Sequence, residues 1–319
     1  MNFIHEDPEF DDLLRIVADQ RRLAVSLIEK DYWVMHTLWA LHDQGFDVWF
    51  KGGTSLSKGF DLIERFSEDL DLKIEPGRVT SVPVVGNWKS EGKKATAERQ
   101  EFFERLTSAL IVPGAQARLE EPVDAAFRSA NIQVEYPGRH ASGLPEVLKP
   151  FVLLEVGSAR VTPCVARDMT SFVHEYLTRE GQLASFRDNR PMLVRCVHPL
   201  VTLIEKLDAL MRRLPRESVE PATFVRHFED AARIIRARGL FAAPEGCNTA
   251  RELVEEMLAQ KQVSAIPTAA HAAFTPDGGE RWAAVRRAHA AIGPMFWGAR
   301  TSVDDACWEI SEWIASELG

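Results

Sequence analysis

Two short runs in this chain could do chemistry together. The first is Gly52-Gly53-Thr54-Ser55, which follows a β-rich run, Asp47-Val48-Trp49-Phe50-Lys51. Glycines carry no Cβ, so the backbone there can approach a ligand closely. Thr54 and Ser55 can cap a helix whose free N–H groups point outward at the end of positive partial charge, and such an end attracts phosphate. Lys51 and Lys58 add positive charge nearby. This run could hold the β- and γ-phosphates of a nucleotide. The second run is Asp69-Leu70-Asp71. Residues i and i+2 of a strand share a face, so the two carboxylates stand side by side while Leu70 turns into the core. Carboxylates this close raise one another's pKa unless a cation neutralises them. Mg²⁺ binds through one or two carboxylates plus phosphate oxygens. Two such ions on Asp69 and Asp71 would stabilise both the attacking and the leaving oxygen of an in-line displacement. Either run alone is ordinary, a tight turn or a solvated strand edge. In this order, joined by one short helix, they point to phosphate chemistry.

The elements that must position these residues can be read around them. Residues 54–64 have helical spacing at Leu56, Phe60 and Ile63. Phe66-Ser67-Glu68 then leads into a strand in which Leu70, Leu72 and Ile74 alternate with Asp69, Asp71 and Lys73, until Pro76-Gly77 stops it. The first 45 residues read as helical, and Gly45 ends them. Residues 77–95 form a loop, and 95–110 an amphipathic helix. Strands are expected at 132–136, 151–156 and 192–197, the last ended by His198-Pro199. From Leu200 onward the pattern is helical, with one helix marked by Leu203, Leu207 and Leu210, others near 224–238, 249–260, 280–291 and 303–317, and breaks at 243–248 and 276–279. The expected fold class is α/β (α+β) with a mixed sheet. The domain plan is an N-terminal helical segment at 1–45, a core at 46–198 and a helical C-terminal domain at 199–319.

The bulk composition bounds the function. The chain has 319 residues, 45% of them apolar, enough to bury a real core. Its net charge of −9 argues against a protein that coats nucleic acid non-specifically, which needs an excess of Lys and Arg. Cys164, Cys196, Cys247 and Cys307 are far apart and form no C-x-x-C pair, so neither a zinc site nor a disulfide framework is expected. The N-terminus lacks a basic-then-apolar signal pattern, and no apolar run approaches the ~20 residues of a membrane span. A cytoplasmic protein with no membrane partner is expected.

The fuller text, KGGTSLSK followed by RFSEDLDL, resembles the AbiEii/AbiGii toxin branch of the DNA polymerase β-like nucleotidyltransferases. EKDYWV (Glu29 to Val34), HPLVTLIEKLDALMRR (His198 to Arg213) and RHFED (Arg226 to Asp230) are similar to further stretches of that family, whereas 240–319 carries no motif that matches. The resemblance implies a polymerase β-like core and a Mg²⁺-dependent transfer of a nucleoside monophosphate from an NTP. It implies a toxin of phage abortive-infection and type IV toxin–antitoxin systems, with a cognate antitoxin. The acceptor in such a family can be the 3′ end of tRNA. Placed residue by residue, the resemblance has Gly53, Thr54 and Ser55 bind phosphates, with Gly52 completing the turn. Asp69 and Asp71 bind Mg²⁺, Lys206 contacts phosphates, and Asp230 closes the site. Phe228 and Glu229 depart from the family's usual text beside Asp230. A third carboxylate is common in the superfamily; Glu155 is the candidate and Glu135 competes with it.

Several readings stay open at this level. Lys58 or Lys206 would share the triphosphate with the turn. Lys206 and Asp208 lie two apart on a helix and diverge in direction, so Lys206 is read as functional and Asp208 as structural. Lys30 and Asp31, before Tyr32-Trp33, are read as a helix face packed on the core. Arg212, Arg213, Arg216, Arg226, Arg233, Arg236 and Arg238 could dock an RNA, but a solvated helix face explains them as well. Trp88, Lys89, Lys93 and Lys94 sit in a loop that could touch substrate. The alternatives are transfer to an antibiotic-type or protein hydroxyl, or a nucleotide-binding regulator without catalysis.

Overall fold

The computed structural model describes residues 1–67, 69–120, 125–145, 148–240, 244 and 246–319. Glu68, and residues 243 and 245 of the expected break, lie outside the described residues. The chain forms the expected α/β (α+β) fold and divides into two compact units. The first comprises Met1–Gly59, Ser67–Val161 and Val165–Cys196; the second comprises Phe60–Phe66, Thr162–Cys164 and Val197–Gly319.

Unit 1 is built on a mixed sheet. Its strands are β1 (Asp47–Lys51), β2 (Asp69–Glu75), β3 (Gln116–Leu119), β4 (Ser129–Glu135), β5 (Val152–Gly157), β6 (Cys164–Arg167) and β7 (Val194–Val197), with the end residues Cys164 and Val197 falling in the second unit. Their order in the sheet is β3-β4-β5-β2-β1-β7-β6. β2 is central, antiparallel to β1 and parallel to β5. It alternates buried Leu70, Leu72 and Ile74 with half-buried Asp69, Asp71, Lys73 and Glu75, as its period of two requires. β3 and β6 went unforeseen. Each is four residues long and neither shows a buried face, so no alternation marks it.

α1 (Phe10–Arg21) packs on α2 (Val25–Asp43). From Ser26 to Leu41 every α2 residue is buried, including Glu29, Lys30 and Asp31. Each of those charges is matched by partners. Glu29 accepts from the N–H groups of Arg139 and His140, both at 2.9 Å. Lys30 donates to the carbonyls of Lys149 and Phe151.

A chain of hydrogen bonds through unit 1 fixes His36 and His174 as neutral. His36 Nε2 donates to Pro113 O, and Asn189 Nδ2 donates to His36 Nδ1 at 2.8 Å. Asn189 Oδ1 in turn accepts from His174 Nε2 at 2.8 Å, and the other His174 nitrogen accepts from Ser171. Every ring nitrogen already has a partner in this neutral arrangement, and a proton on His36 Nδ1 would meet the Asn189 amide hydrogens. Burial accordingly pulls His36 down from 6.5 to about 3 and His174 to about 4. Both are depressed below their unfolded value. The stability they carry is therefore whole above pH 6.5 and is lost as pH falls through 6.5 toward 4. Each tenfold of lost proton affinity is worth about 1.4 kcal/mol, so the two together should cost several kcal/mol at pH 4. The urea midpoint should fall between pH 7.5 and pH 5; a flat midpoint across that range would show that these rings protonate without penalty.

Beyond β2, α4 (Lys93–Ala109) packs on β3, and α5 (Phe172–Arg179) packs on α1 and α2. In unit 2, α6 (Pro199–Arg213) starts at the expected His198-Pro199. The His198 ring accepts from Leu200 N, and Pro199 occupies the first turn, where its missing N–H costs nothing. α7 (Arg226–Arg236) packs on α6 and on α10 (Val303–Glu317); α8 (Ala250–Ala259) and α9 (Glu280–Ala291) complete the unit. Among the described residues no helix is long and apolar enough to cross a membrane.

Candidate active site

The helix expected over 54–64 does not form. β1 runs into a helical turn, α3 (Gly52–Thr54), then a π-helical turn over Ser55–Gly59, and the chain leaves helix at Phe60. Thr54 does not cap it. Its hydroxyl donates instead to Ser67 O at 3.0 Å and Asp69 O at 2.8 Å, stapling the turn to the start of β2. Three residues are too few to build a macrodipole, so attraction for phosphate must come from individual backbone N–H groups and close approach.

Close approach is what Gly52 supplies. Its φ is +75°, and a Cβ built on it would stand 1.7 Å from Asp71 Oδ2. The carboxylate of Asp71 thus lies directly against the glycine turn. Lys51 is opposite Asp71 on β1, and Glu155 is opposite it on β5. Cross-strand partners share a face, so Asp69, Asp71 and the exposed Glu155 all lie on one side of the sheet. Glu135, the competing acid, is on β4 and ion-paired with Arg118 at 3.1 Å. Ser55 is 1% exposed, and its hydroxyl finds no hydrogen-bond partner. A buried hydroxyl without a partner costs about 1–3 kcal/mol, a cost that a phosphate oxygen would relieve.

Among the described residues no group of three or more His, Cys, Asp and Glu side chains is placed to hold a metal by itself. Mg²⁺ keeps few protein ligands and takes the remainder from phosphate and water. Asp69 and Asp71, paired on one face beside the glycine turn, could supply two carboxylate ligands to such an ion.

Lys58 is placed differently from the expectation that it holds phosphate. Its ammonium is 2.6 Å from Asp31 Oδ1 and 3.7 Å from the centre of the Phe172 ring. In unit 2, Lys206 and Asp230 come together. Lys206 donates to Asp230 Oδ2 at 2.8 Å, and Arg65 grips both oxygens of that carboxylate at 2.8 Å each. Asp230 is 1% and Lys206 7% exposed. Burial alone would push the Asp230 carboxyl up, yet the Arg65 and Lys206 charges together hold it far below the usual carboxylate range. Nothing local in RFSED marks Arg65, since the carboxylate it grips, Asp230, is 165 residues away in the chain.

Other candidates turn out to be held by neighbours. Asp208 accepts from Arg212 and from Ser264 N, which ties α6 to the loop after α8. Arg233 pairs with Glu64 at 3.2 Å, and Arg236 with Glu309. Trp88 packs its ring on Phe102 and Phe103 of α4. Arg99 pins the same loop through the carbonyls of Asn87 and Ser90.

The model of a family described as "Nucleotidyl transferase AbiEii toxin, Type IV TA system" matches residues 37–306. The match covers 240–306, where no motif was recognisable, and begins after EKDYWV. No curated protein matches the chain.

Proposed function

The chain belongs to the AbiEii family of nucleotidyltransferase toxins, and from that premise we propose that it transfers a nucleoside monophosphate from an NTP to the 3′ end of tRNA. The family is that of type IV toxin–antitoxin systems and implies a cognate antitoxin as partner. The observation that carries the catalytic reading is the seat of Asp71 against Gly52, which puts a carboxylate directly beside the glycine turn.

The chemistry follows from unit 1. The N–H groups of Gly52, Gly53 and Thr54 and the unpartnered Ser55 hydroxyl bind the triphosphate tail. Asp69 and Asp71 hold Mg²⁺, which when bound supplies charge neutralisation on the phosphate oxygens. The acceptor hydroxyl oxygen forms a bond to the α-phosphorus, the bond from that phosphorus to the β-phosphate's bridging oxygen breaks, and pyrophosphate leaves. Glu155, exposed on the same face in register with Asp71, takes the acceptor's proton. Most of the acceleration comes from positioning and fixed charge.

Incubation of the full chain with each radiolabelled NTP and total tRNA, protein or aminoglycosides tests this. Label should enter tRNA and vanish with Asp69→Ala. Label confined to a small molecule or to protein would replace the tRNA reading, and tight NTP binding with no labelled product would favour a regulator.

Gly52→Ala should be severe for its size. The left-handed backbone costs about 1–2 kcal/mol for a residue with a Cβ, and the new methyl must also evict the Asp71 carboxylate. NTP affinity should fall at least about tenfold, following the rule that a misplaced group of about 1 Å can cost up to 10²-fold. Wild-type affinity in calorimetric titration of Gly52→Ala would show that the contact has no part in binding.

A further inference from the structure

One buried ion pair of unit 1 has no role in the reaction just described. The Asp31 side chain is 3% exposed and that of Lys58 10%. Asp31 Oδ2 accepts from Phe172 N at 2.7 Å, at the first turn of α5, while Oδ1 faces the Lys58 ammonium at 2.6 Å. Both carboxylate oxygens are therefore committed, and the ring of Phe172 underlies the ammonium. Burying two such charges gains little net stability, because desolvation offsets their attraction. What the pair does supply is a fixed geometry at a particular point. Lys58 lies one residue before the end of the π-helical turn that begins at Ser55, and the start of that turn is already stapled to β2 through Thr54. Ser55, with its unpartnered hydroxyl, lies between the two anchors.

We propose that the Asp31–Lys58 ion pair is a positioning device for the phosphate turn, holding its far end so that the Ser55 hydroxyl and the turn's N–H groups face the nucleotide. Lys58 then acts through the backbone and does not touch the triphosphate. The inference rests on the nucleotide-binding reading above and adds Asp31, on α2 and upstream of the matched span, to the residues that determine NTP affinity.

The test is the dissociation constant of each of the four NTPs with Mg²⁺, by titration calorimetry on the full chain. The variants are Asp31→Asn, Lys58→Met, the double variant and Lys58→Arg. Asp31→Asn and Lys58→Met should each weaken binding about tenfold, a modest share of what misplacement can cost. The double variant should bind no worse than either single one, as coupled neighbours do, and Lys58→Arg should recover most of the affinity. If Asp31→Asn fails to fold, comparing Lys58→Met with the double variant, which leaves no lone charge, carries the same information. Weakened binding in Lys58→Met with unchanged binding in Asp31→Asn would overturn the proposal by making Lys58 a direct phosphate ligand. Unchanged affinity in all variants with lowered melting temperatures would overturn it by making the pair only structural. A wild-type chain that binds none of the NTPs would instead sink the nucleotidyltransferase reading itself.

Discussion

Asp71→Asn abolishes transfer while leaving the fold as stable as the wild type or more so. Asparagine keeps the shape that lies against Gly52 but removes the charge that holds a divalent cation, and the rate should drop by about 10³-fold, the scale seen when one preorganised charge-stabilising group is lost. The sign of the stability change separates this role from a structural one. Asp69 and Asp71 share a face, with Glu155 beside Asp71. Removing one of several like charges relieves repulsion in the metal-free protein. A carboxylate kept for folding would behave the other way, and its loss would lower the melting temperature. Single-turnover transfer and thermal melting, measured without Mg²⁺ for the melt, therefore decide together. A melting temperature several degrees lower, or a rate within tenfold of wild type, would remove Asp71 from the proposed chemistry.

The second large effect is expected in unit 2. Asp230 is buried and shared by Arg65 and Lys206. Asp230→Ala removes the carboxylate that Arg65 and Lys206 share, and breaking such a buried cluster typically costs about 3–5 kcal/mol. Hydrogen exchange in α6 and α7 should accelerate, and urea should unfold unit 2 at a lower concentration. A loss below about 1 kcal/mol would mean that water reaches the cluster and screens it. The triple variant Arg65→Met/Asp230→Leu/Lys206→Met supplies the control, because replacing a whole buried ionic cluster with apolar side chains is often neutral or stabilising. If that variant folds and still transfers at the wild-type rate, the roles in catalysis that the family resemblance assigns to Lys206 and Asp230 fail, and the cluster is purely architectural. If it folds and is inactive, the cluster's charges serve the reaction.

Much of this was legible in the residue order. The alternation through Leu70, Leu72 and Ile74 determined that Asp69 and Asp71 share a face, since a strand has no other way to bury those side chains. His198-Pro199 marked the start of α6, and the two runs GGTS and DLD were enough to point to phosphate chemistry. These are local properties, set within a few residues by backbone period and by side-chain shape. Local pattern also misled once. Leu56, Phe60 and Ile63 have helical spacing, but the chain turns out of helix at Phe60. The bonds that decide this reach elsewhere, from Thr54 to Ser67 and Asp69, and from Phe66 N to Met295 O at 2.7 Å.

Only the tertiary structure decided who partners whom. No spacing rule could place Asp31 on Lys58, Arg65 on Asp230, or the Asp71 carboxylate against the α-carbon of Gly52. Strand pairing sets Glu155 beside Asp71, across 84 residues of chain. A charge in the sequence has a type but no environment. Its partner and its exposure to water appear only when distant segments are packed together, and these determine whether it binds a ligand, braces a turn or holds a core.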